Sequence, residues 1–308
     1  MLFLVGLGLG TEKDITLRGL EAIQSSSLIL LESYTSLIGC IDWSESSYST
    51  SLADSRSMKS LDTQSGFVKA LERLSAQYGG KSIRIASRWE IESSNENAGF
   101  LHVAKKENVA LLVVGDPLFA TTHTDLLVRC KRASIAYQVI HNASIMNAVG
   151  STGISMYAFG PSISVPFFTE NWRPYSFYEK LEKNLVNKEQ HTLLLLDIKV
   201  KEPTEEELAC GRVENPKSWI PPSFMSIRVA IEQLFEAESV IKRGVVSSST
   251  LAVGIARAGH SSQLIASGTL TQLRDYGDAW GAPLHALVIP ATSQLHELEW
   301  DMIRSFSI

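Results

Sequence analysis

Val109-Ala110-Leu111-Leu112-Val113-Val114-Gly115-Asp116-Pro117, continuing as Leu118-Phe119-Ala120-Thr121-Thr122-His123-Thr124-Asp125-Leu126, is the stretch on which the fold turns. Six apolar residues run from Val109 to Val114, three of them β-branched, and stop at a Gly-Asp-Pro corner followed by a polar, helix-forming segment. This reads as a buried parallel strand ending in a ligand loop. In open α/β sheets small molecules sit outside the carboxyl ends of the strands, so the corner puts a carboxylate and approachable backbone where a ligand would lie.

Two further stretches repeat the pattern. Leu2 to Val5 runs into Gly6-Leu7-Gly8-Leu9-Gly10, a strand turning tightly at its end. Ile135 to Ile140 ends at His141-Asn142-Ala143-Ser144-Ile145-Met146. The three corners are expected to converge at one edge of a parallel sheet. Asp14 is expected to cap a helix with apolar positions Ile15, Leu17, Leu20 and Ile23, followed by a strand at Leu28–Leu31. Glu32 lies at a spacing suited to a nucleotide ribose, but Thr11 occupies the third glycine position of the dinucleotide fingerprint, which disfavours NAD or FAD.

The chain of 308 residues, 44% hydrophobic, is long enough for two domains, expected over 1–152 and 153–308 with a glycine-rich junction at Gly150–Gly160. A net charge of −5 argues against a nucleic-acid surface. Cys40, Cys130 and Cys210 are far apart and outside metal spacing, so reduced buried thiols and no metal are expected. No apolar run reaches membrane-span length and no basic leader precedes the first strand, so the expectation is a soluble, intracellular protein. Residues 44–65 are serine-rich and read as a surface excursion, and Phe67, Ala70, Leu71 and Leu74 as a helix ended by Tyr78-Gly79-Gly80. In the second half, strands are expected at Ser162–Phe168, Leu193–Val200, Leu251–Ile255 and Leu284–Ile289. Helices are expected at Tyr178–Leu185, after Pro203 and at Met225–Phe235, with Thr269–Leu273 completing the α/β alternation.

MLFLVGLGLGTEKDIT, LESYTS, LLVVGDP with ATTHTDL, VIHNASIMNAVG, SVPFFTENWRPYSFYEK, HTLLLLDIKVKE, MSIRVAIEQL, VGIARAG, ASGTL, PLHALVI and SFSI together resemble the diphthine synthase family. The resemblance covers nearly the whole chain outside about residues 40 to 108. It implies a two-domain α/β protein of the tetrapyrrole-methylase fold, with a mainly parallel sheet in the N-terminal domain and a mixed sheet in the C-terminal one. It further implies a cytoplasmic homodimer that binds S-adenosyl-L-methionine between the domains and methylates translation elongation factor 2 in diphthamide synthesis, with S-adenosyl-L-homocysteine as by-product. Donor-binding positions carried over are Leu9, Asp116, Phe119, Ser144, Ile145, Leu196, Ala258 and His285. At 119 the family usually has glycine; if that glycine uses positive φ or close backbone approach, phenylalanine requires the loop to adjust.

Methyl transfer from a sulfonium is an in-line displacement, so the protein's work is mainly positioning and exclusion of water. With an acceptor α-amino pKa of about 7.7 to 8.0, a strong base is not demanded, and no nucleophile, triad or metal is expected. His123, His141 and His191 near strand ends read as hydrogen-bonding or packing residues before proton shuttles. Asp116 either caps the following helix or orients the donor, and Thr121 and Thr122 either cap or meet ligand. Arg173, Lys180, Lys183, Lys199 and Lys201 read mostly as a solvated face, and Trp172-Arg173-Pro174 as part of a substrate mouth. Competing readings are a small-molecule methylase on the same fold, trimethylation without the ester, a nicotinamide reductase, and a non-catalytic nucleotide-type binding module.

Overall fold

The computed structural model describes residues 1–32, 71–92, 99–200, 203–211, 218, 220 and 222–308. The serine-rich stretch, Phe67, Ala70, Lys201 and Cys40 lie outside the described residues. The chain forms two compact units, Met1–Met146 with Lys199–Ser223, and Asn147–Ile198 with Phe224–Ile308.

The first unit opens with β1 (Leu2–Gly6), α1 (Leu17–Gln24) and β2 (Leu28–Glu32), followed by α2 over residues 71–77 and β3 (Arg84–Ala86). It continues through α3 (Arg88–Glu92), α4 (Gly99–Ala104), β4 (Val109–Val113), α5 (Thr124–Arg132) and β5 (Tyr137–Ile140). The sheet is parallel throughout, in the order β3-β2-β4-β1-β5. Its three central strands, β1, β2 and β4, read as near-continuous apolar runs because both faces are covered. Phe3, Val5, Leu31 and Leu112 pack with Ala22 and Ile23 of α1 and Leu74 of α2. Leu2, Leu4, Leu111 and Val113 face the other way, onto Ile91, Phe100, Leu126 and Cys130. The connections leaving the neighbours β1 and β4 therefore carry their helices to opposite faces, which makes the gap between these two strands the topological switch point of the sheet.

Two local expectations are corrected. Asp14 does not cap α1: its carboxylate accepts from the N–H groups of Gly10 (2.7 Å) and Thr11 (3.1 Å), and the Thr16 hydroxyl accepts from Gly19 N–H at the helix start instead. Leu17 is not on the apolar face; it is the exposed first residue, and Gly19, Ala22 and Ile23 are buried.

The second unit begins within α6 (Ile145–Ala148) and holds β6 (Ile163–Val165), α7 (Ser176–Glu182) and β7 (Thr192–Leu196). β8 (Ile198–Lys199) and β9 (Ser223–Phe224) form a two-stranded ribbon flanking α8 (Glu205–Ala209). The expected strand at 193–200 is thus two strands, broken at Asp197, whose carboxylate accepts from Phe167 N–H at 2.9 Å while its carbonyl accepts from Met225 N–H at 2.9 Å. Cys210, just past α8, is exposed, correcting the expectation of a buried thiol, whereas Cys130 is buried.

Then come α9 (Ile227–Ile241), β10 (Leu251–Ala256), β11 (Leu264–Thr269), α10 (Leu270–Asp275), β12 (His285–Ile289) and α11 (Glu297–Ser305). The second sheet is mixed, β11-β10-β12-β7-β6, antiparallel except for β6 with β7. Strand β11 and helix α11 fall outside the elements expected from sequence. In β11 the small residues Ala266, Ser267 and Gly268 break any apolar alternation, so the strand carries no strong periodic signal. Thr269 is the N-cap of α10, closing a capping box with Gln272. Buried Trp280 lies over Gly254 of β10, where an added Cβ would come within 2.2 Å of the indole Cη2.

Candidate functional site

The three corners of the first unit lie side by side and are stitched pairwise. Parallel pairing brings Val5 opposite both Leu112 and Ile140. Beyond the strand ends, Gly8 and Gly115 form a backbone bridge, with Gly115 N–H donating to Gly8 C=O at 2.8 Å and Gly8 N–H to Gly115 C=O at 3.3 Å. Both glycines have left-handed φ, +80° and +77°, which a side chain would strain. Asn142 joins the third corner to the first: its amide donates to the carbonyls of Gly6 (3.0 Å) and Asp14 (2.9 Å), and its side-chain oxygen accepts from Ala143 N–H at 2.7 Å.

Asp116 joins the second corner to the third. Oδ1 accepts from Leu118 N–H at 2.9 Å, and Oδ2 accepts from Asn142 N–H at 3.2 Å and His141 Nδ1 at 2.8 Å. It therefore does not cap the following helix, because α5 starts eight residues later, at Thr124. Three of the roughly four acceptor positions of a carboxylate are occupied, which leaves one for a ligand.

Gly115 is buried, and the space beside its Cα is the size of a methyl group. A Cβ built there would meet only Ala143 O at 3.8 Å, Ser144 Cβ at 3.9 Å and Leu9 Cδ2 at 4.0 Å. Leu9, Gly115 and Ser144, one residue from each corner, thus bound a common cradle. Ser144 Oγ also accepts from Met146 N–H at 3.3 Å, and Ile145 begins α6. Beside the cradle, a shallow depression is lined by Leu7, Gly8, Leu9, Thr11, Leu74 and Val114.

Phe119 is half-buried, and its N–H donates to Asp116 C=O at 3.3 Å. The left-handed residue of this loop is Ala120, φ +53°, so the conformational strain falls one position after the phenylalanine. Thr121 Oγ1 accepts from His123 N–H at 3.0 Å, a local turn ahead of α5, and Thr122 reaches Glu92 at 3.2 Å.

The three histidines separate cleanly. His123 is buried with Nδ1 on Pro117 C=O at 2.9 Å, pinning the loop. Buried His191, in the second unit, accepts from Ala291 N–H through Nδ1 at 3.0 Å, and its burial lowers its pKa, so it is a neutral packing residue against Phe159. His141 alone is exposed, with 67% of its side-chain surface accessible.

In the second unit, Leu196 ends β7, His285 starts β12 opposite Ala256, and Ala258 follows β10 by two residues. Because β12 runs antiparallel to both neighbours, these three positions share one end of the mixed sheet. His285 Nε2 donates to Ala282 C=O at 3.1 Å, and burial with nearby Arg257 pushes its pKa down to about 4. Its buried Nδ1 has no hydrogen-bond partner among the described residues. Elsewhere in this unit, Arg173 pairs with Glu236 at 2.5 Å and lies over the Phe168 ring, Lys180 and Lys183 are solvent-facing, and Trp172 is exposed in a tight turn. Among the described residues no group of histidine, cysteine or carboxylate side chains could hold a metal ion.

Sequence reasoning passed over Asn142 and Asp14 as structural residues of the site. The signal available was an Asn immediately after a strand and an Asp four residues after a glycine corner, both short polar side chains suited to bonding nearby backbone.

The family model for Tetrapyrrole (Corrin/Porphyrin) Methylases matches residues 1–217. The chain is 42% identical to a diphthine methyl ester synthase of Dictyostelium discoideum, over 100% of this chain and 98% of that protein. It is also 42% identical to that of Homo sapiens, over 100% and 95%. Among solved structures, one from Entamoeba histolytica ascribed to a diphthine synthase is 40% identical with a TM-score of 0.77, covering 100% of this chain and 98% of that one. A second crystal structure of diphthine synthase is 28% identical with a TM-score of 0.72, covering 99% and 95%. Full-length likeness at this level, on a parallel sheet followed by a mixed one, places the chain among the diphthine methyl ester synthases, methyltransferases of diphthamide biosynthesis built on the tetrapyrrole-methylase fold.

Proposed function

We propose that the chain transfers methyl groups from S-adenosyl-L-methionine to the aminocarboxypropyl-histidine of translation elongation factor 2, trimethylating the amine and esterifying the carboxylate. The observation that carries the reading is the cradle over Gly115, where Leu9 and Ser144 converge from two other corners beside an Asp116 carboxylate with an acceptor position to spare. Asp116, Leu9, Ser144, Ile145 and the Phe119 loop hold the donor from the first unit. The resemblance implies further donor-binding positions at Leu196, Ala258 and His285, which share one end of the mixed sheet.

When bound, the donor supplies an electrophilic methyl and a neutral thioether leaving group. The protein's part is to orient the acceptor in line and to keep water away. A homodimer in the cytoplasm is the setting the resemblance implies; among the described residues no helix is long and apolar enough to cross a membrane. The test is the intact mass of elongation factor 2 after incubation with enzyme and S-adenosyl-L-methionine. Four added methyl groups are expected; three would remove the ester step, and none would overturn the proposal.

A further inference from the structure

His141 pairs with Asp116, and although the carboxylate is assigned to the donor, the imidazole ring is not. The ring is anchored at one nitrogen and open at the other: Nδ1 lies 2.8 Å from Asp116 Oδ2, while most of the side chain faces solvent. A carboxylate only accepts, so Nδ1 carries the hydrogen, and in the neutral ring Nε2 keeps its lone pair. Asp116 is itself fixed by the N–H groups of Leu118 and Asn142, so the ring's orientation is set by the same bonds that join the second and third corners. Asp116 directly follows Gly115 and His141 lies three residues before Ser144, so the pair belongs to the same two corners as those cradle residues.

The acceptor's chemistry gives this pair a task. Until the last transfer its amine stands beside a free carboxylate, and that anion holds the ammonium proton more firmly than the neutral amide beside an ordinary α-amino group does. Each of the three N-transfers must shed one proton before nitrogen can attack. The carboxylate transfer sheds none, because its nucleophile is already an anion.

We propose that His141 is the proton acceptor for the N-methyl transfers, with Asp116 as the residue that holds its tautomer. In each cycle Nε2 takes the ammonium proton and the freed lone pair attacks the donor methyl. The carbon–sulfur bond then breaks with its electron pair leaving on the thioether, and the imidazolium returns its proton to solvent. The proposal rests on the methyltransferase reading above.

The experiment compares N- and O-transfer in His141→Asn and His141→Gln, using full-length elongation factor 2 as acceptor, once unmethylated and once trimethylated beforehand. The asparagine keeps a donor toward Asp116 and removes the basic nitrogen. Expected are N-transfers slowed about 100-fold, with mono- and dimethylated acceptor accumulating. Ester formation on the trimethylated acceptor and the dissociation constant for S-adenosyl-L-homocysteine are expected to stay at wild-type values. N- and O-transfer slowed equally, neither slowed, or donor affinity lost in step with rate would each overturn the assignment. Wild-type enzyme that transfers no methyl at all would instead overturn the functional reading, and this one with it.

Discussion

The two sheets bring their candidate site residues together by different routes. In the first unit every strand is parallel, so every carboxyl end lies at the same edge, and Leu9, Asp116 and Ser144 meet because each follows a strand by a few residues. In the second, Leu196 and Ala258 follow strands whereas His285 starts one, and they share an end only because β12 is antiparallel to β7 and β10. The first site edge is held by backbone bridges, glycines and short polar side chains. The second is backed by a large apolar core in which Trp280 fills the space left by Gly254. A parallel sheet thus makes a site edge readable from sequence order, and a mixed sheet does so only after its pairing is known.

The contrast can be broken most severely at Trp280. The residue is 1% exposed, its indole N–H donates to Leu273 C=O at 3.0 Å, and its ring packs edge-on against Tyr276. Trp280→Ala should cost about 4 kcal/mol in denaturant unfolding. A loss under about 1 kcal/mol would show that the second unit does not depend on this core.

Acid should distinguish the units next. His285 has its folded pKa at about 4, below the 6.5 of the free side chain, so the folded state favours the neutral ring. As pH falls below 6.5 the unfolded chain takes up the proton first. Stability is therefore full above about 6.5, declines through the interval and has lost up to about 3 kcal/mol near pH 4. Urea midpoints measured across that range should show the slope, and His285→Gln should flatten it; an unchanged slope in the variant would assign the acid loss elsewhere.

The smallest effect belongs to the first unit's cradle. At Gly115 an added methyl meets only ordinary contacts, so Gly115→Ala should cost about 1 kcal/mol, the strain of a left-handed residue. The same methyl occupies the cradle, so affinity for S-adenosyl-L-homocysteine should fall roughly tenfold, about 1.4 kcal/mol, by calorimetric titration. Unchanged affinity would move the donor away from Gly115.

Sequence by itself determined the strands with both faces buried, because their apolar runs are too short for helices and are closed by glycine or polar corners, and it determined that corners follow Val5, Val114 and Ile140. It determined the family too, since VIHNASIMNAVG and DIKVKE stand at full-length likeness to diphthine methyl ester synthases. Tertiary structure alone decided what the polar corner residues do. Asp116 and Asn142 each had several backbone partners within reach, and the pairing of β1 with β4 and β5 brought the corners together that selected among them, whereas the Asp14 carboxylate closes a local turn onto Gly10 and Thr11. It also decided that His141 is presented to solvent while His123 and His191 are sealed, because burial depends on what packs over a strand end, and that covering comes from residues distant in the chain.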